Sequence, residues 1–194
     1  MHVSLRSRLS EKLPEILIEA ASVAFAVVLA LWANDWNSAR QLDRDAASLK
    51  SAVVSELRSN LADLDDGRPK LQQGIDDAQR FLGPDGEKVH ALNFTVRVSL
   101  LSAAAWQTTQ LSQASQRLDA DWRVRVAKVY ELQGLYQRQQ EATMVGLNAF
   151  GALGRDERPT PASVRAFETQ MRTMLTLNRQ LAQAYHELLD SAPP

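Results

Sequence analysis

The residue types best suited to chemistry fall in three places: the run His186-Glu187-Leu188-Leu189-Asp190, the acid cluster Asp63, Asp65 and Asp66, and a lone acid, Glu19, inside an apolar stretch. A zinc site on one helical face needs His at i and i+4, and here the second position is Asp190. With His2 and His90 the only other histidines, the run reads as a solvated helix end. The acid cluster fails as a calcium loop, because Gly67 comes one place early and no Glu closes the loop at its twelfth position. It reads as a turn. Phosphate-binding, dinucleotide-binding and nucleophile-elbow patterns are absent. Cys 0 removes thiol nucleophiles, thiolate metal sites and disulfides. Neither a cofactor nor a metal is expected.

Glu19 has two readings. An acid in or near hydrocarbon commonly has a partner, such as a basic residue of another membrane protein. The competing reading is an interfacial Glu that snorkels or is solvated. Trp106, Trp122, Tyr130 and Tyr136 could line a ligand pocket between helices, although aromatic residues at helical spacing are more often core. Asn178 lies in line with an apolar stripe between Met174 and Leu181, where a buried amide fixes register or partner choice and an exposed one does neither.

A chain of 194 residues allows one domain, or one domain plus an anchor. Lys+Arg 22 against Asp+Glu 23 gives a net charge of -1, so no basic field attracts nucleic acid. Few glycines and prolines, with abundant Ala, Leu, Gln and Arg, favour helix over sheet. An all-α chain is expected.

The stretch Pro14 to Arg40 decides where the chain works. Its charge-free run, Ala20 to Ala33, is short for a span, but the window Leu13 to Trp32 reaches the necessary ~20 residues if Glu15 and Glu19 sit at one edge. Trp32 and Trp36 share a helical face and mark the opposite interface, flanked by Asn34 and Asn37. A cleaved signal peptide would fit the basic start and Val28-Leu29-Ala30, but two acids inside its apolar region oppose it. A buried core helix would show more polar residues than Ser22 alone. The membrane span is the preferred reading. Arg6, Arg8 and Lys12 before the span, against Arg40, Arg44 and Lys50 after it, slightly favour a cytoplasmic amino terminus. The remainder would then lie on the far side of the membrane, in the periplasm if the source is a Gram-negative bacterium and the anchor sits in its inner membrane.

Glu19, Ala30, Leu31, Asn34, Trp36 and Asn37 form E-x14-N-x-W-N preceded by A-L, which resembles the anchor of a family of uncharacterised bacterial single-pass membrane proteins. Ala105-Trp106-x-Thr108 with Val129-Tyr130-x-x-Gln133-x-x-Tyr136 is similar to the helical part of such proteins, so the resemblance touches residues 15 to 136. It implies a single-pass membrane anchor and brings no activity with it. Ala26 departs from it, since a Gly is common there. Pro14-Glu15-Ile16-Leu17-Ile18-Glu19 also looks like a type IV prepilin cleavage region, but it lacks the Gly before the cut and the following sheet.

Beyond Trp36, Leu42, Ala46, Leu49, Val53, Leu57, Leu61 and Leu64 keep helical spacing, so the sequence predicts a helix from Pro14 to about Asp65, broken at Gly67 and Pro69. A short helix should follow from Leu71 to Leu82, closed by Gly83-Pro84-Asp85-Gly86. Residues 89–99 suggest a brief strand or an extended connector. A third helix is expected from Ser99 to about Gln116, with Leu101, Ala104, Thr108, Leu111 and Ser115 on one face. A fourth, capped by Asp119 or Asp121, carries Trp122, Val126, Val129, Tyr136, Leu147 and Phe150 inward to a hinge at residues 151–161. Thr160 and Pro161 then start a last helix with the stripe Val164, Phe167, Met171, Met174, Leu181, Tyr185 and Leu188.

The domain reading is a basic tail at 1–12, a transmembrane helix at 13–36, a stalk helix at 37–66 and an antiparallel helical bundle at 70–194. The expected function is a single-pass protein that presents the bundle for protein–protein contact or self-association at the cell envelope. The expected partners are the lipid bilayer and either a second copy or another membrane protein. An extracytoplasmic helical sensor that signals through a partner is the alternative. A pilin-like protein or an enzyme ranks behind both.

Overall fold

The computed structural model describes residues 5–84, 98–152 and 159–191. The described residues are helical with no strand: α1 is Leu5–Leu82, α2 is Ala104–Leu111, a 3-10 turn covers Gln113–Arg117, α3 is Ala120–Ala152 and α4 is Pro161–Asp190. The chain divides into two units, Met1–Ala46 and Ala47–Pro194.

In the first unit the helix exposes apolar side chains all round. Leu17, Ile18, Val23, Phe25, Val28, Leu31 and Trp32 are each more than half exposed. This helix is long and apolar enough to cross a membrane, and none of its most apolar window is buried within the chain. It begins at Leu5, ahead of the expected Pro14, in keeping with the good helix formers Leu5, Arg6, Arg8, Leu9 and Lys12.

The second unit buries its stripes. Val53, Leu57, Leu64, Leu71, Ile75 and Ala78 of α1 are each at most 1% exposed. The break expected at Gly67 and Pro69 does not occur, and the stalk and short second helix are one element. Pro69 sits on the exposed face, where its missing N–H and ring cost roughly 3 kcal/mol. Burial of Leu64, Leu71 and Ile75 on either side, at about 2 kcal/mol each, offsets that cost. Gly67 is buried, and a Cβ there would lie 3.1 Å from Ser99 Oγ, so the missing side chain lets Ser99 approach α1.

Residue pairings give the directions. From α1 to α3, Lys50 lies over the Trp122 ring, Glu56 meets Tyr130, and Asn60 meets Gln133, so the numbers rise together. From α1 to α4, Leu64 meets Asn178, Gly74 faces Met171 and Ala78 clusters with Val164, so they fall. The α1–α3 pairing departs from the expected up-down order, because residues 99–105 run back along α1 from Asp63 to Glu56 before α3 starts.

That return path also revises the third helix. Residues 98–103 are not helical, and α2 begins at Ala104. Of the expected face Leu101 is buried and Ser115 half-buried, while Ala104, Thr108 and Leu111 face out; Trp106, Thr109, Ala114 and Leu118 are buried instead. Helix starts elsewhere follow the expected chemistry. Asp119 Oδ1 accepts the Trp122 N–H at 2.7 Å, and Thr160 Oγ1 accepts the Ser163 N–H at 3.2 Å with Pro161 in the first turn. All seven residues of the α4 stripe are buried. The strand or connector at 89–99 lies almost wholly outside the described residues. So do Asp85, Gly86, the inward placement of Phe150 and most of the hinge at 151–161.

Candidate functional site

The most developed polar constellation surrounds the returning segment 98–103, and α1 and α3 build it with side-chain amides. Gln140 Oε1 accepts the Ser99 N–H at 3.0 Å while Gln140 Nε2 donates to the Ser99 carbonyl at 3.3 Å. Gln137 Nε2 donates to the Leu101 carbonyl at 3.0 Å, and Gln133 Nε2 to that of Ser102 at 3.0 Å. From the other side, Asn60 exchanges both bonds with Ser102, accepting at 2.9 Å and donating at 2.8 Å. Three steps of extended chain cover roughly 10 Å. That matches the roughly 10.5 Å between Gln133 and Gln140 along a helix. The amides thus replace neighbouring strands, and Asn60, Gln133 and Gln140 are buried while doing so.

Glu56 terminates the arrangement. Its Oε2 accepts the Ser102 hydroxyl at 2.6 Å and the Ala105 N–H at 2.9 Å, and its Oε1 accepts the Tyr130 hydroxyl at 2.6 Å and the Trp106 N–H at 3.5 Å. A carboxylate thereby caps α2 from a different helix. Burial pushes its pKa up, but the bonds from Ser102, Tyr130, Ala105 and Trp106 together win, and the carboxyl is held below its usual range. Burial first, and then the Glu56 carboxylate, push the Tyr130 hydroxyl well above its ordinary value. Burial likewise raises Tyr185, whose hydroxyl donates to Gln133 Oε1 at 2.7 Å. An ionised, saturated acceptor flanked by protonated phenols positions backbone, and its protonation state is far from the near-neutral poise of a general base.

The aromatic and amide candidates from the sequence converge here in part. Trp106 stacks on Tyr130 with ring centroids 5.9 Å apart, and Tyr136, fully buried, lies 3.4 Å from the Ser99 hydroxyl. Asn178 is fully buried on α4; it donates to the Leu64 carbonyl at 3.0 Å and accepts from Arg68 Nε at 3.0 Å. Asn60, Glu56, Gln137 and Gln140 carry no expectation in the sequence reading, and Gln133 enters it only as part of the resemblance. Their signal was position: Asn60 continues the Val53–Leu57–Leu64 stripe, and Gln133 and Gln140 interleave with Val126, Val129 and Tyr136.

In the first unit, Trp32 and Trp36 stack at 6.3 Å, and the Arg40 guanidinium lies 3.8 Å from the Trp36 ring centroid. Glu19, Asn34 and Asn37 are exposed on the same helix, and the Glu19 carbonyl accepts the Ser22 hydroxyl at 2.8 Å. Among the described residues no three metal-binding side chains converge, and His186 is exposed. Neither a family model, nor a curated protein, nor a solved structure matches the chain.

Proposed function

We propose that the chain is a single-pass membrane protein that anchors a helical bundle, with α4 opposed to α1 and α3, for protein–protein contact at the cell envelope. The observation that carries this reading is the contrast between the two units. Residues 17–36 expose Leu17, Val23 and Leu29, which stand about a third of a turn apart around the helix axis, while α4 buries its whole stripe. Exposed apolar surface of this extent is unfavourable in water and suits a bilayer, where the helix satisfies its own backbone bonds. The stacked Trp32–Trp36 pair with Arg40 supports an interfacial depth at that end. The distribution of Arg and Lys supports a cytoplasmic amino terminus and a periplasmic bundle, in the inner membrane of a bacterium.

The role is binding, to a second copy or another envelope protein, and no catalytic step is assigned. Purification from native membranes in mild detergent tests it: a stoichiometric partner or a defined homo-oligomer is expected. A chain that leaves the membrane on alkaline carbonate extraction, or purifies as a bare monomer, contradicts it.

A further inference from the structure

A second feature of the Ala47–Pro194 unit lies apart from the amide-lined segment. Arg125, Lys128, Val129 and Leu132 of α3, at i, i+3, i+4 and i+7, face Ala184, Glu187 and Leu188 of α4, and between them is a cleft of about 380 Å³. Its floor is apolar: Val129 and Leu188 are buried, and Leu132 and Ala184 are half-buried. The small Ala184 opposite Leu132 leaves the space open. The exposed Arg125 and Lys128 stand at the mouth, and among the described residues neither makes an ion pair. The one acid, Glu187, is bonded along its own helix, accepting from Gln183 Nε2 at 2.8 Å.

We infer that this cleft binds a small amphipathic anion, an apolar body with one carboxylate. The volume falls at the small end of the roughly 300–1,000 Å³ typical of ligand sites. Apolar walls accept the body, and the two cations outweigh the bonded Glu187 where the body would end in charge. Arg125 offers a fork of N–H donors to a carboxylate, with Lys128 as a second point charge. A neutral alcohol of the same shape would gain the floor without the mouth. An amine would meet two like charges.

The test uses the full chain in lipid nanodiscs, with empty nanodiscs as the blank, and saturation-transfer NMR titrations of 4-phenylbutyrate, 4-phenylbutan-1-ol and 4-phenylbutylamine. Saturable binding of the carboxylate above the other two is expected. Lys128→Glu, at an exposed position, should weaken it roughly five- to tenfold without altering the helical spectrum, and Ala184→Phe should abolish it by filling the cleft. No saturable carboxylate binding, equal binding of all three probes, or unchanged binding in Lys128→Glu overturns the inference. Should Ala184→Phe misfold, Arg125→Glu takes its place, with the same loss expected and retained affinity counting against the site.

Discussion

Asn60 and Ser102 form a closed two-bond ring: the Ser102 N–H reaches Asn60 Oδ1 at 2.9 Å, and Asn60 Nδ2 reaches the Ser102 carbonyl at 2.8 Å. A helix side chain thus completes the pairing of an extended backbone, and Asn60 is 2% exposed while it does so.

Asn60→Ala removes both bonds and leaves Gln133 without a neighbour that donates to it at 3.3 Å. A loss of about 2 kcal/mol in unfolding free energy is expected, read from denaturant titration in detergent micelles. Because Asn60 and Gln133 share the Ser102 carbonyl, the double variant should depart from additivity by about 1 kcal/mol. Additive losses would mean the amides act independently.

Glu56 gives the unit a pH dependence. Its carboxyl titrates lower in the folded than in the unfolded chain. The unfolded state therefore binds more protons in the acid range, and stability rises with pH there. Glu56 contributes fully above its unfolded value, about 4.3. That contribution is lost as pH falls through the lower folded value. Melting temperatures of wild type should drop on acidification below about pH 5. Those of Glu56→Gln should start lower at pH 7 and fall less steeply. Parallel curves would remove Glu56 from the account of α2 capping.

Gly74 lies where a Cβ would come 2.6 Å from Met171 Cε, and Met171 is fully buried. Gly74→Ala gains about 1 kcal/mol of helix propensity while the terminal methyl of the buried Met171 side chain must give way, so the two effects offset and a net change smaller than about 1 kcal/mol is expected. Met171→Ala costs about 3 kcal/mol alone, and less beside Gly74→Ala, whose methyl occupies part of the vacated space. Denaturant titrations of the four proteins measure the coupling. Independence of the two sites would contradict the α1–α4 register.

How much of this was legible differs by element. Helix α4 was readable because local signals agree: Thr160 caps it, Pro161 begins it, and its stripe is apolar without interruption until Asn178. Gly67 and Pro69 misled because a breaker costs a fixed local amount, whereas burial of Leu64, Leu71 and Ile75 is a long-range gain that spacing alone does not reveal. The amide site was hidden for a related reason. Gln and Asn are ordinary surface residues on helices, and only the return of residues 98–103 along α1 and α3 makes Gln133, Gln140 and Asn60 core positions. Glu56 lies next to Leu57, on the edge of the stripe, where an acid reads as solvated.

The membrane span is the central claim, and the absence of cysteine makes it directly measurable, since Cys 0 lets any introduced thiol report alone. Ala26, midway along the apolar run, is exposed on the helix surface, and Val145 on α3 is 70% exposed. In native membranes, Ala26→Cys should resist a water-soluble maleimide until the bilayer is dissolved in denaturing detergent, while Val145→Cys reacts at once. Labelling of Ala26→Cys as fast as Val145→Cys in intact membranes would contradict the span.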